Sequence, residues 1–288
     1  MTQLILNADD FGMTRGVNEG IIRAHREGVL TSTSLMAGGA AFEDAVERAN
    51  QNPGLGVGCH LVLVGGQAVA KRTEIPSLAD DAGRLPATLP GFVARVTSGM
   101  IRMEEIEREM RAQIEKLRAA GIEPTHLDTH KHTHAHPRVM EALGRVAQAA
   151  GIKRIRKPIE SIRDSWESSR GEGARITLQL IASVAVSAME PQFESIARKY
   201  GLRSPDHFLG LAMTGHMGPA KLRQMIETLT DGQAEIMVHP GLCDEELIQS
   251  NSRLKQQRQL ELEGLLDPGV RSAIEERGIR LISFREVN

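Results

Sequence analysis

Aromatic side chains are scarce, with six Phe, one Tyr and one Trp in 288 residues. Stacking platforms for single-stranded nucleic acid are built from several such rings, so the composition argues against that class. Cysteine is nearly absent as well. Cys59 and Cys243 lie far apart and form no C-x-x-C pair, which fits a reducing compartment and gives no disulfide framework. Neither sign of charge dominates. A formal net charge of −2 offers no reason to expect nucleic acid or another polyanion as a general partner. Long hydrophobic runs are also lacking. The most apolar stretch, residues 176–189, is flanked by Arg175 and Glu190 and is shorter than the roughly 20 residues a membrane span needs. No signal-peptide pattern precedes the first strand, where MTQLILNADD runs straight into charged positions. These absences together predict a soluble, cytoplasmic protein.

What is present is a regular alternation. Apolar runs of strand length recur at Leu4–Ala8, Ser32–Met36, Gly56–Val64, Thr125–Asp128, Arg154–Lys157, His207–Met213, Glu235–Val238 and Arg280–Phe284. Helical spacing fills Gly16–Glu27, Ala41–Asn50, Met103–Ala120, Pro137–Ala149, Pro219–Leu229 and Asp267–Glu276. Strands alternating with helices imply βαβ units and a parallel sheet. Eight candidate strands in one such series predict an α/β fold of the (β/α) barrel type, complete or incomplete. Gly121 and Gly151 stand where left-handed helix ends are expected, and Pro137 and Pro219 where helices begin. No Pro/Gly/Ser-rich linker divides the chain. We therefore expect one domain over 1–288, with insertions at about 65–102 and 159–206 over one face.

The ionisable residues fall at strand ends. Asp9 and Asp10 close the first strand, and His60 lies in the third. Asp128 and His130 close the fourth and are followed by His132, His134 and His136, while His239 precedes Pro240 and Gly241. In a parallel barrel these ends face one side, where active sites are built. Each residue also has a plainer reading. An Asp before a helix is often a cap, as Thr14 could be here. A lone His in GVGCHLVL is often a core residue, and His-Pro-Gly is also turn chemistry. The DTHKHTHAHP segment stands out, because on an extended strand end His130, His132 and His134 would share one face. Two imidazoles and one carboxylate make a catalytic metal shell with open positions. Spacing alone leaves the choice open among two Asp and six strand-end His. A second, non-ligating carboxylate would take a proton from water and a histidine opposite would protonate a leaving amine, for which Asp9 and His239 are the candidates.

NADDFGMTRGVNEGI, LTSTSLMAGGAAFEDAV, GVGCHLVL, PTHLDTHKHTHAHP and EIMVHPG, taken in order over residues 5–241, resemble the YdjC-like carbohydrate deacetylases, a family that includes chitooligosaccharide deacetylase. The resemblance implies a distorted (β/α) barrel related to the polysaccharide deacetylase fold. It also implies hydrolysis of an N-acetyl group with one divalent metal. It matches Asp10, His60 and His130 to the metal positions, Asp9 to the general base and His239 to the acid. It suggests magnesium or another divalent ion, whereas ligand softness alone suits zinc. His134 is kept as a substrate or supporting residue, and Arg15 and Met213 as further substrate contacts.

A narrower resemblance, carried by RSPDHFLGLAMTGHM, is to the hopanoid biosynthesis-associated deacetylases. It implies an N-acetylglucosaminyl lipid as substrate, with residues 176–189, Leu209, Leu211, Met213 and Met217 as its apolar surface. That reading allows peripheral contact with the inner membrane, and a homodimer is left open. The rival functions are a soluble chitooligosaccharide deacetylase, a metal-dependent phosphoesterase and a lipid-binding protein on the same barrel. Only Arg15 and Lys131 lie near the motifs as basic partners for a phosphoester. A retaining glycosidase, which uses two carboxylates and no metal, does not need so many histidines.

Overall fold

The computed structural model describes residues 1–161, 165 and 186–288. Seven strands are assigned among these residues: β1 (Thr2–Phe11), β2 (Ser32–Leu35), β3 (Gly56–Leu61), β4 (Leu127–Thr129), β5 (His207–Leu209), β6 (Gly232–Val238) and β7 (Arg280–Leu281). The sheet order is β4-β3-β2-β1-β6-β5, with β7 added to β1, and every pairing is parallel. Beyond β4, parallel bridges join Leu127 to Ile155 and Arg154 to Arg203, four residues before β5 begins. The sheet therefore curls back toward its own far edge as an incomplete, distorted barrel, as the strand–helix alternation predicts.

Strand alternation divides the core into two media. On β1, Leu4, Leu6 and Ala8 belong to the main apolar core. Ile5, Asn7 and Asp9 point the other way, into the barrel. Ala234, Ile236 and Val238 of β6 likewise join the main core, leaving Glu235 on the interior side. Phe284, Ile282 and Val287 close over Ile5 as a small separate cluster. His126 stacks on Phe284 at 3.7 Å, and a Cβ on Gly58 would lie 2.3 Å from the His126 ring, so only glycine leaves room for it. The outside of the sheet is thus apolar, and the inside of the barrel is filled largely by polar and charged groups.

The helices that position the site are α1 (Arg15–Arg26), α2 (Phe42–Asn50), α3 (Leu89–Thr97), α4 (Met103–Ala119), α5 (Pro137–Ala150), α6 (Glu190–Lys199), α7 (Pro219–Thr228), α8 (Glu245–Gln249), α9 (Gln256–Leu266) and α10 (Pro268–Glu276). Thr14 is the N-cap of α1, accepting from Val17 N at 3.2 Å, so neither aspartate is used as the cap. Gly121 and Gly151 have φ of 83° and 71°, and Pro137 and Pro219 open their helices, as expected.

Several expectations are corrected. Arg154–Lys157 forms two isolated bridges instead of a full strand. The strand expected over His207–Met213 stops at Leu209, because Gly210 turns with φ of 111°. The 65–102 stretch contains α3, capped by Thr88, and the 159–206 stretch contains α6. The α8 and α9 helices fall where no helix was expected. For α9 the reason is physical: its buried face carries Arg258 and Glu261, which breaks the apolar periodicity. Residues 176–185 of the most apolar stretch lie outside the described residues. Among the described residues, no helix is long and apolar enough to cross a membrane.

Candidate metal centre

Asp9 and Asp10 reach one site because β1 bulges there. Asn7 and Ala8 pair with Ser32 and Thr33, but Phe11 pairs with Leu35, so β1 carries one extra residue. Asp10 takes φ of 68°, a left-handed conformation that aspartate tolerates better than most residues at a cost of about 1 kcal/mol. Asp9 points into the barrel by strand parity, and the bulge turns Asp10 toward the same point.

Three groups converge there. Asp10 Oδ1 lies 3.5 Å from His60 Nε2 and 3.3 Å from His130 Nδ1. Neither approach has hydrogen-bond geometry, so Asp10 Oδ1 is a buried acceptor without a hydrogen bond among the described residues. Ligand atoms held about 2.1 Å from one tetrahedral ion would be about 3.4 Å apart, which both distances match. His60 Nδ1 is bound by Asp128 Oδ1 at 2.9 Å, which fixes the ring and aims Nε2 at the cluster. Arg258 Nη2 holds the other Asp10 oxygen at 2.5 Å and leaves Oδ1 facing the histidines. A donor set of two imidazoles and one carboxylate, with an orphaned oxygen at its centre, fits a divalent cation.

A second cluster of potential ligands, Asp9, His60 and Asp128, already has its cation. The Arg156 guanidinium bonds both oxygens of Asp9 at 2.8 and 2.6 Å, Asp128 at 2.8 Å and Glu235 at 2.7 Å. Five buried charged groups thus sit inside the barrel in one network. Burial pushes Asp9 up, but the Arg156 guanidinium and His60 outweigh it and hold the carboxyl below its usual range. Burial also opposes ionisation of Asp10, yet Arg258 and His130 keep it well below that range. Burial disfavours a charged His60, but Asp128, Asp9 and Asp10 raise it to about 9. Glu235 is pushed by burial up to about 7 despite Arg156.

His239, just past β6, places Nε2 4.0 Å from Asp9 Oδ2. Burial lowers it to about 4 against the pull of Asp9 and Asp10, so the ring is neutral at pH 7. Glu261 on α9 accepts from the backbone N–H of His239 at 2.5 Å and of Gly215 at 2.6 Å, tying both loops to one carboxylate. A Cβ on Gly20 of α1 would lie 2.6 Å from Gly241 Cα, so this helix can approach the His-Pro-Gly loop only with glycine there.

The histidine-rich segment does not run as an extended strand end. It is a 3-10 turn over His130–Ala135, with Lys131 and His132 left-handed at φ of 56° and 53°. The four rings therefore part company. His130 reaches the cluster, and His132 meets Phe208 edge-on at 5.8 Å. His134 is fully buried, with Nδ1 on Thr129 Oγ1 at 2.6 Å and Nε2 on the Arg156 carbonyl at 3.0 Å. Both of its nitrogens are used, so its place is to brace the Arg156 backbone and it offers no free nitrogen to a substrate. His136 caps α5 through Arg138 N. Met213 is fully buried in the main core and does not line an opening, and the same holds for Met217 and Leu209. Arg15 is exposed at the start of α1, with its backbone N–H on Glu246.

Sequence reasoning missed Arg156, Arg258, Glu235 and Glu261. A charged residue inside an apolar strand, as in AEIMV or RIRK, was the available signal.

The family profile described as YdjC-like protein matches residues 3–276. A carbohydrate deacetylase of Brevibacillus brevis is 35% identical, with 99% of each chain aligned. A chitooligosaccharide deacetylase of Serratia marcescens is 31% identical over 99% of this chain and 98% of its own. A solved structure from Enterococcus faecalis V583 superposes with a TM-score of 0.77 at 27% identity, covering 98% of this chain and 97% of that one.

Proposed function

The chain belongs to the YdjC-like family, and from that premise we propose that it is a carbohydrate N-deacetylase that works with one divalent metal held by Asp10, His60 and His130. The activity is hydrolysis of the linear amide C–N bond of an acetylated amino sugar, the chemistry named for its full-length relatives. The observation that carries the metal assignment is the orphaned Asp10 Oδ1 between two imidazole nitrogens. Magnesium and zinc are both compatible with that donor set.

When bound, the ion would polarise the amide carbonyl and acidify a water. The chain's own groups supply the proton traffic. Asp9 is held as an anion by Arg156, and while Oδ1 accepts from both Arg156 and Asn7, Oδ2 accepts from Arg156 alone and keeps a lone pair for a water proton. His239 starts neutral, so it must first receive the proton that Asp9 takes from the water, and it then delivers that proton to the departing amine. Asp9 Oδ2 lies 4.0 Å from both His60 Nε2 and His239 Nε2, which places this carboxylate oxygen beside a metal-ligand histidine and the proposed acid. His134, Arg15 and Met213 do not carry this reading. Arg156 and Arg258 are both engaged by carboxylates, so the phosphoesterase alternative would rest on the exposed Lys131, whose ammonium is near enough to Asp10 to feel its charge.

For the substrate we favour a free or lipid-linked N-acetylglucosamine-type sugar. The hopanoid-linked form rests on the RSPDHFLGLAMTGHM resemblance, since of the expected apolar surface Leu209, Met213 and Met217 are buried, Leu211 is half-buried and residues 176–185 lie outside the described residues. Mass spectrometry after incubation with chitooligosaccharides and with an N-acetylglucosaminyl lipid tests both forms. Loss of one acetyl mass from either class, abolished in Asp10→Ala and His130→Ala together with metal binding, is the expected result. Full activity of either variant in chelated buffer would overturn the assignment.

A further inference from the structure

The end of the barrel opposite the metal cluster holds a cleft of about 560 Å³. It opens at the start of β3, before β4 and beside the bridges at Arg154 and Arg203. Its floor is apolar, made of Leu55, Val57, Ile122 and Ile152, and its walls carry Lys153, Arg154, Arg203 and Arg285. In a chain whose formal net charge is −2, four cations around one cleft is a pronounced local excess.

The acid available to offset them is Glu123, and it is already taken by Arg118 at 2.6 and 3.0 Å. None of the four forms an ion pair among the described residues. Helices α2, α4 and α5 end around this cleft, and cations often complement helix C-termini. That duty accounts for Arg285, which donates to the carbonyls of Pro53, Gly54 and Leu55, and for Arg118, which donates to Ala150. Among the described residues Arg154 uses only Nε, on the Val287 carbonyl, and its two Nη groups make no hydrogen bond. The side chains of Lys153 and Arg203 make no hydrogen bond among the described residues and are exposed.

We propose that this cleft is a second binding site, one that takes a small molecule bearing a diphosphate group and a compact, weakly polar body. Planar guanidinium forks match phosphate oxygens in pairs, and several cations call for more than one phosphate. The apolar floor then receives the body of the ligand, in a volume typical of small-molecule sites. The proposal is independent of the deacetylase assignment, since no residue of the cleft belongs to the metal cluster.

The test is calorimetric titration of the full chain, in chelator, with inorganic pyrophosphate, uridine diphosphate and uridine. Pyrophosphate and uridine diphosphate are expected to bind, the latter more tightly, and uridine not at all. Lys153→Ser combined with Arg203→Ser should weaken both by tenfold or more while leaving deacetylation unchanged. Raising salt should weaken binding, as expected for exposed charges. Absence of pyrophosphate binding at about 1 mM, or equal affinity in the double variant, would overturn the site. Equal affinities for pyrophosphate and uridine diphosphate would overturn the role of the apolar floor.

Discussion

Replacing Arg156 with Met should destabilise the metal-free protein more than almost any other single change. The guanidinium is fully buried and contacts Asp9, Asp128 and Glu235 at 2.6–2.8 Å. Removing it leaves three buried carboxylates without their cation, a situation that costs about 3–5 kcal/mol. Glu235, already at about 7, absorbs part of this by taking a proton. His60 can lean further toward Asp9 and Asp128, so the lower half of the range is expected. At roughly 2–4 °C per kcal/mol for a chain of this size, a loss of about 3–4 kcal/mol should lower Tm by about 6–16 °C. The sign of the pH dependence is fixed by the same contacts. Arg156 lowers Asp9 and Asp128, so the stability it provides is present above their unfolded value of 3.8 and is lost as pH falls. In the variant the same carboxylates are buried without their cation and take up protons well above 3.8, so its deficit should be largest near pH 7.5 and narrow toward pH 4. Arg156→Lys keeps the charge but not the fork and should lose less. Calorimetric scans in chelator across that pH range measure all of this. A Tm within about 2 °C of wild type at pH 7.5, or a deficit that grows in acid, would refute the reasoning.

Asp128→Asn should weaken metal binding by about 10–100-fold without removing a ligand, because Asp128 orients His60 through Nδ1; competition with a fluorescent chelator measures it, and unchanged affinity would exclude that role. Metal affinity should rise steeply with pH, since the ion must displace the proton that carboxylates hold on His60 up to about 9. Between pH 6.5 and 8 the gain should be about 30-fold, against about twofold for an imidazole at its ordinary value, and a flat profile would contradict it. Glu261→Gln should leave metal affinity intact and lower kcat, because it disturbs the backbone N–H contacts that hold His239 and Gly215. A loss of metal binding in that variant would show instead that α9 is simply unfolding.

The fold was legible where hydrophobic periodicity had one cause. β1 reads as LILNA because its outer face meets helices, and helix ends were marked by Gly121, Gly151, Pro137 and Pro219. It was less legible where a buried face is charged. The α9 helix buries Arg258 and Glu261 beside Leu262 and Leu265, so its sequence carries no clean apolar stripe. Short pieces were misjudged for a related reason. Arg154–Lys157 alternates like a strand, but only Arg154 and Ile155 find bridge partners, while the Arg156 side chain turns into the barrel. In the candidate site, strand-end positions pointed to Asp9, Asp10, His60, His130 and His239. What spacing could not show was the left-handed pair Lys131 and His132, which sends four histidines to four different places.

The charge balance of the barrel interior explains why these residues had to be read together. Four buried carboxylates, Asp9, Asp10, Asp128 and Glu235, are ion-paired to the two buried guanidiniums of Arg156 and Arg258, which leaves these pairs two positive charges short. In the metal-free chain that deficit is met by protons, with His60 raised to about 9 and Glu235 to about 7. The proposed dication would supply the same two charges at Asp10 Oδ1, a buried carboxylate oxygen that sits between two imidazoles and has no hydrogen bond among the described residues. It would then return the His60 proton to solvent and leave Nε2 as a ligand. No single motif carries this arithmetic. Arg156 and Arg258 come from segments far from the two aspartates in sequence, and they acquire meaning only when the sheet curls and brings their charges within reach.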